Sequence, residues 1–223
     1  MYSISPSKIA DFIMYHKGYF NGYMTEKRLL ERLTLPMEQW DIKDESKERM
    51  RLGIKRGKLI HKFIETGKGD VSIIQKEVLS KFRNSLPAFG GRHEYLIDIP
   101  LDKCHMTGIV DYVHRERKIV KEFKTTAKKS YEDDNFINSY QWRVYSVGTG
   151  IDNIEYNIFS IGKEGDKCNY LPPLQLHLSQ VGGRAKVLED LNFLCEMFIK
   201  FLEKHNLTHL ITPKHDKPNL RLE

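Results

Sequence analysis

Within the stretch TGIVDYVHRERKIVKEFKTT, residues 107–126, three residues have the types and spacing to do chemistry: Asp111, Glu122 and Lys124. Side chains alternate along a strand, so Glu122 and Lys124 point to one side and Phe123 to the other. If the two apolar runs pair as a hairpin turning at His114–Arg117, Asp111 falls opposite Glu122, with the two carboxylates on the order of 5 Å apart. Carboxylates that close repel unless a cation separates them, and a hard divalent cation is the natural occupant of an oxygen donor set. Magnesium or manganese suits those donors better than a thiophilic metal. With an ammonium group beside it, such an ion can polarise a substrate oxygen and activate a bound water.

The elements that must position these residues can be read from periodicity. Residues 93–101, 105–113 and 118–125 have strand composition, the last two joined by the polar turn HRER. Ser5 ahead of Pro6 caps a short N-terminal helix carrying Ile9, Phe12 and Ile13, with Tyr19 or Phe20 continuing its apolar face. Residues 46–67 form a second helix, with Met50, Ile54, Ile60, Phe63 and Ile64 near one face, His61 on it, and Gly67 at its end. A third helix spans 136–148, ended by Gly148, and carries Gln141 and Tyr145 four apart on one face. Strands follow at 153–162 and 174–179, and a long amphipathic helix at 183–206. Helices on either side of a run of strands imply a layered α/β or α+β fold.

Composition fits this reading. With 223 residues, 40% hydrophobic and 30% charged, the chain reads as one globular domain with a helical N-terminal part (1–67), a core (93–162) and the C-terminal helix. No apolar run is long enough for a membrane span and the N-terminus lacks a signal-peptide layout, so an intracellular, soluble protein is expected. Cys104, Cys168 and Cys195 are odd in number and widely spaced, which speaks against a disulfide framework or a zinc knuckle. A net charge of +6 leans toward a polyanionic partner. Lys47, Arg49, Arg51, Lys55, Arg56, Lys58 and Lys62 crowd the helix that carries His61, and Lys128 and Lys129 follow the second reactive strand.

Taken singly, a strand acid is usually a solvated outward face and a helix histidine usually a hydrogen-bonded core or surface residue. The order of the motifs carries more. GKLIH (Gly57–His61), GIVD (Gly108–Asp111), EFK (Glu122–Lys124) and QWRVY (Gln141–Tyr145) follow one another in the arrangement of the RecB-like branch of the PD-(D/E)xK nucleases, which the chain resembles over roughly residues 3–160. The opening SISPSKIADFIMYHKGYF also resembles the start of that branch.

The resemblance implies a restriction-endonuclease-like α/β fold, a central mixed sheet flanked by helices, and hydrolysis of DNA phosphodiester bonds. His61, Asp111, Glu122 and the Phe123 backbone carbonyl would hold one or two Mg2+ or Mn2+ ions, Lys124 would orient or deprotonate the attacking water, and Gln141 would hold a phosphate oxygen or Lys124 itself. Glu94 and Tyr145 are further candidates, whereas Glu65 reads as part of a charged helix face. Arg51, Lys55, Arg56, Lys58, Lys128 and Lys129 would contact the DNA backbone, and Tyr15, Tyr19, Phe20 and Tyr23 could stack unpaired bases, with Tyr19 and Phe20 alternatively sealing the core. Members with an iron–sulfur cluster carry one early and three late cysteines; here Tyr15 and His16 stand early and only Cys195 late, so no cluster is expected. The implied activity is an exonuclease on ends or single strands, in recombination, repair or replication in a bacterial cytoplasm or phage-infected cell, with protein partners from such a system. The alternatives are a structure-selective endonuclease or a non-catalytic nucleic-acid-binding module that keeps the fold.

Overall fold

The computed structural model describes residues 1–17, 24–162 and 167–212, with the backbone only at 133 and 135. Among the described residues, seven strands form one mixed sheet: β1 (Tyr2–Ile4), β2 (Gly91–Pro100), β3 (Cys104–His114), β4 (Ile119–Thr126), β5 (Asn153–Ile161), β6 (Cys168–Tyr170) and β7 (Leu174–His177). β3 runs antiparallel to β2 and β4 and parallel to β1, β4 runs parallel to β5, and β6 and β7 share the far edge of β5. The helices are α1 (Pro6–His16), α2 (Glu26–Thr34), α3 (Asp44–Thr66), α4 (Ile73–Ser85), α5 (Asp133–Ile137), α6 (Tyr140–Thr149) and α7 (Gly183–Lys204).

The period-two burial of the strands builds two cores, one on each face of the sheet. On β5, Ile154, Tyr156 and Ile158 join the cluster formed with α1, α6 and α7, while Phe159 and Ile161 join the one formed with Ile60, Phe63 and Ile64 of α3 and Leu79 and Phe82 of α4. The long helix α7 contributes Val187, Leu191, Leu194, Cys195, Phe198, Ile199 and Leu202 to the first cluster, a stripe at the spacing the sequence predicts. Burying each large side chain of this kind is worth about 1.5–3 kcal/mol before chain entropy is set against it.

The structure departs from the sequence expectation in several places. The helix expected over 136–148 is two helices, because the Ser139 side chain accepts from the Gln141 N–H and starts a new one. Gly148 does not end it. Gly150, at φ 77°, is the cap, and Gly148 lies where α6 crosses β2: a Cβ there would stand 2.7 Å from Ile97 Cδ1 and 2.8 Å from its Cβ. Gly148→Ala is therefore expected to destabilise the fold by about 1–3 kcal/mol through overpacking, read as a lower urea midpoint at unchanged slope. Along α3 only the last turns are buried; Ile54 is 53% exposed and Met50 half-buried, so the N-terminal half stands clear of the core. Residues 178–181 form a 3-10 turn rather than strand. The short strands β1 and β6 and the helices α2 and α4 were not anticipated. Tyr19, Phe20 and Tyr23, expected near the first helix, lie outside the described residues.

Candidate active site

The site forms where β3 and β4 part. Their register pairs Tyr112 with Lys121, Val113 with Val120 and His114 with Ile119, and stops there, while β4 continues along β5 through Thr126. The same register carried one step further sets Asp111 against Glu122, as expected. In the fork so opened, the backbone of Phe123 is met by side chains: its N–H donates to Asp111 Oδ2 at 2.6 Å, and its carbonyl accepts from His61 Nε2 at 2.9 Å. His61 Nδ1 lies 3.4 Å from Asp111 Oδ1. The ring thus sits on two oxygens that the sequence reading assigns to a metal.

From the other face, α6 delivers Gln141. Lys124 Nζ donates to Glu122 Oε1 at 2.8 Å and to Gln141 Oε1 at 2.7 Å. The Gln141 amide in turn donates to Glu122 Oε1 at 3.1 Å and to the Tyr145 hydroxyl at 2.8 Å. This network fixes the amide orientation, since a flipped Gln141 would set its NH2 against the ammonium. Two of the three Lys124 donors are used, which leaves one to offer. Gly108, first residue of the GIVD motif, sits in tight packing: a Cβ would lie 3.2 Å from both Pro6 Cγ of α1 and Tyr145 Cε1. The motifs therefore interlock physically, with Gly108 making room for the tyrosine that supports Gln141.

The electrostatics are uneven. The Glu122 side chain is only 4% exposed and its Oε2 has no hydrogen-bond partner. Burial, reinforced by the Asp111 charge and only partly offset by Lys124, pushes its carboxyl up to about 7. Burial acts the same way on Asp111, but the His61 hydrogen bond and charge, the Phe123 N–H and Lys124 outweigh it and hold that carboxyl below its usual range. For His61, burial disfavours the charged ring, yet the hydrogen bond and charge of Asp111 and the charge of Glu122 raise it above its ordinary value. Burial also raises the Tyr145 phenol far above its usual range, so it stays a neutral support.

As they stand, no three His, Cys, Asp or Glu side chains among the described residues converge into a ready cage for a metal ion. The donor set nevertheless suits a magnesium-type ion, which is held by one or two carboxylates and completes its shell with water and substrate phosphate rather than by an all-protein cage. The Asp111 carboxylate, the orphaned Glu122 oxygen and the Phe123 carbonyl are the oxygen donors of the strand fork, and the two acids are near enough to feel each other's charge. His61 would have to release those oxygens, or turn its lone pair, for an ion to take its place.

Of the site residues, His61, Phe123 and Lys124 line a groove of about 720 Å³ together with Gly57, Lys58, Glu65 and Glu94. Glu94 belongs here. The flanking pairs His93–Tyr112 and Tyr95–Val110 set it opposite Asp111, and it adopts φ 49°, a left-handed conformation that costs a non-glycine residue about 1 kcal/mol or more and concentrates at functional sites. Glu65, expected only as part of a charged face, lines the same groove. Of the expected backbone contacts, Lys58 lines this groove and Arg56 an adjoining cavity. Lys55, Lys128 and Lys129 are exposed without lining either, and Arg51 is engaged with Glu38 and Glu48. Tyr15 packs on Phe12 and Phe201 and donates to Glu26, so it belongs to the helical packing rather than to a stacking surface.

No family model and no curated protein matches the sequence. Among solved structures, the chain is similar to a protein from Eubacterium rectale provisionally named as an exonuclease, at 12% identity and a TM-score of 0.53, over 97% of this chain and 90% of that one. More distant similarities are to a phage-related exonuclease from Haemophilus somnus 129PT (10% identity, TM-score 0.39, 90% and 96% covered) and to SSO0001 (13% identity, TM-score 0.46, 90% and 77% covered). What is shared with the Eubacterium rectale protein is the fold, a mixed sheet between helical layers of the restriction-endonuclease-like type. No helix among the described residues is long and apolar enough to cross a membrane.

Proposed function

We propose that this chain is a divalent-metal-dependent nuclease that hydrolyses DNA phosphodiester bonds, working from ends or on single strands. The observation that carries the reading is the buried, partly unsatisfied Glu122 carboxylate set across an open strand fork from Asp111, with the Lys124 ammonium between Glu122 and Gln141. Burying an uncompensated acid is costly, and a fold has little reason to retain one unless a cation is its partner. A non-catalytic DNA-binding module would gain nothing from two acids in a groove meant for phosphate.

In this reading Asp111, Glu122 and the Phe123 carbonyl hold Mg2+ or Mn2+, with His61 and Glu94 as further candidates. Such an ion, when bound, supplies Lewis acidity toward a phosphate oxygen and lowers the pKa of a water. The chain's own groups do the rest. Lys124 turns its remaining N–H toward the attacking water or a non-bridging oxygen and offsets charge that grows as the phosphorus becomes five-coordinate. Gln141, supported by Tyr145, keeps that ammonium from collapsing onto Glu122 alone. Lys58 and Lys62 on the groove wall meet flanking phosphates. End processing of this kind would serve recombination, repair or replication.

The test uses end-labelled linear DNA and covalently closed circles with Mg2+, Mn2+ or EDTA. Linear strands should shorten from their ends with either metal, circles should survive, and EDTA should stop the reaction. Circles cut as fast as linear strands would overturn the preference for ends, and no cleavage with any metal would overturn the nuclease reading.

A further inference from the structure

The buried stripe of α3 runs through Ile64 and Ile60 and then, at the same helical spacing, reaches Gly57 and Gly53. A glycine inside a helix costs about 1 kcal/mol relative to alanine. Gly57 has a packing reason, because a Cβ there would stand 3.3 Å from Thr125 Oγ1 on β4. Gly53 has none: a Cβ at that position would meet nothing within 4 Å. Beside it is a cavity of about 530 Å³ between the exposed half of α3 and the end of β4, with apolar walls from Leu52, Ala127 and Ile161 and with Arg49 and Arg56 in its lining. Gly53 and Thr125 line both this cavity and the groove that holds His61 and Lys124, so the two adjoin along α3.

We infer that this cavity is the subsite for the nucleotide next to the scissile phosphate of a single-stranded DNA substrate. The inference rests on the nuclease reading and adds to it which strand form enters and where. Leu52, Ala127 and Ile161 offer apolar contact to one base, which is available only when that base is unstacked from its neighbours; in a duplex both of its faces are covered. Arg49 and Arg56 supply the charge that the flanking phosphates require. Gly53 omits a side chain where the strand must pass from the cavity to Lys124.

Leucine at position 53 tests this. It is a good helix former with room at its Cβ, so Gly53→Leu should melt at or above the parent temperature. It should lower the affinity for a fluorescein-labelled oligo-dT in EDTA, read by anisotropy, by about tenfold or more, in line with loss of one base contact. In Mn2+, kcat/KM on the same oligonucleotide should fall similarly, and by a clearly larger factor than kcat/KM for bis(p-nitrophenyl) phosphate, a diester with no neighbouring nucleotide. Ala127→Leu narrows the cavity from its other wall and should reproduce the result if Gly53→Leu folds poorly. Parental oligonucleotide affinity in both variants overturns the subsite. A parent that cleaves neither DNA nor the small diester overturns the nuclease reading instead, and the anisotropy data still decide the cavity.

Discussion

Glu122→Gln is expected to abolish hydrolysis and, in the absence of metal, to make the protein more stable above neutral pH. Glu122 titrates near 4.5 when unperturbed and near 7 in the fold. Between those values the folded state keeps a proton that the unfolded chain has lost, so stability falls as pH rises and the loss is complete once pH passes about 7. For a carboxyl this buried, the shift corresponds to about 3–4 kcal/mol. Glutamine has nearly the same shape, still accepts from Lys124 and carries no charge to bury. In EDTA the variant should therefore melt well above the parent at pH 8 and close to it at pH 5. Mn2+ should raise the parent's melting temperature at pH 8 and leave the variant's nearly unchanged. The catalytic rate should drop by about 10³-fold or more, the scale of losing an ion worth several kcal/mol to the transition state. An equal melting shift at both pH values would remove the buried carboxylate as its cause.

Lys124→Ala should separate chemistry from metal binding. Its side chain is 31% exposed and is a member of neither hydrophobic cluster, touching one only through its ammonium over the Tyr156 ring, so the fold should tolerate its loss. Both carboxylates and the Phe123 carbonyl remain, and Mn2+ binding measured by calorimetry should persist. The single-turnover rate on a labelled single strand should fall by about 10²–10³-fold, as when one preorganised donor is removed from a developing charge. A variant that cuts at the parental rate would deprive Lys124 of its assigned role.

Much of this site was legible in the sequence because it is local. The alternation in β3 and β4 and the polar turn between them set the hairpin and its register, and with it the facing of Asp111 and Glu122. Other features depend on interactions that single-chain periodicity does not carry. Beyond the fork β4 continues on β5 and β3 continues on β1, pairings about 34 and 102 residues apart along the chain. The left-handed backbone of Glu94 has no composition signal, since glutamate is not a residue that favours it. The division of α5 from α6 was hidden by apolar spacing that runs smoothly across Ser139, although that serine is an ordinary cap. The strands β1 and β6, three residues each, are too short to show a period. Helix α4 did have a readable start, the reciprocal cap between Ser72 and Gln75. Gly53 shows the opposite case: its oddity was visible as a missing apolar residue in the α3 stripe, but only coordinates could show that no neighbour explains it.

Because His61 arrives from the layer of α3 and α4 while Gln141 arrives from the layer of α1, α6 and α7, the strand between them is gripped from above and below. Neither layer alone can assemble the candidate site. A substitution that loosens either hydrophobic cluster, however far from the groove, would release one of the two grips on β4 and abolish the proposed activity while most of the sheet is still intact.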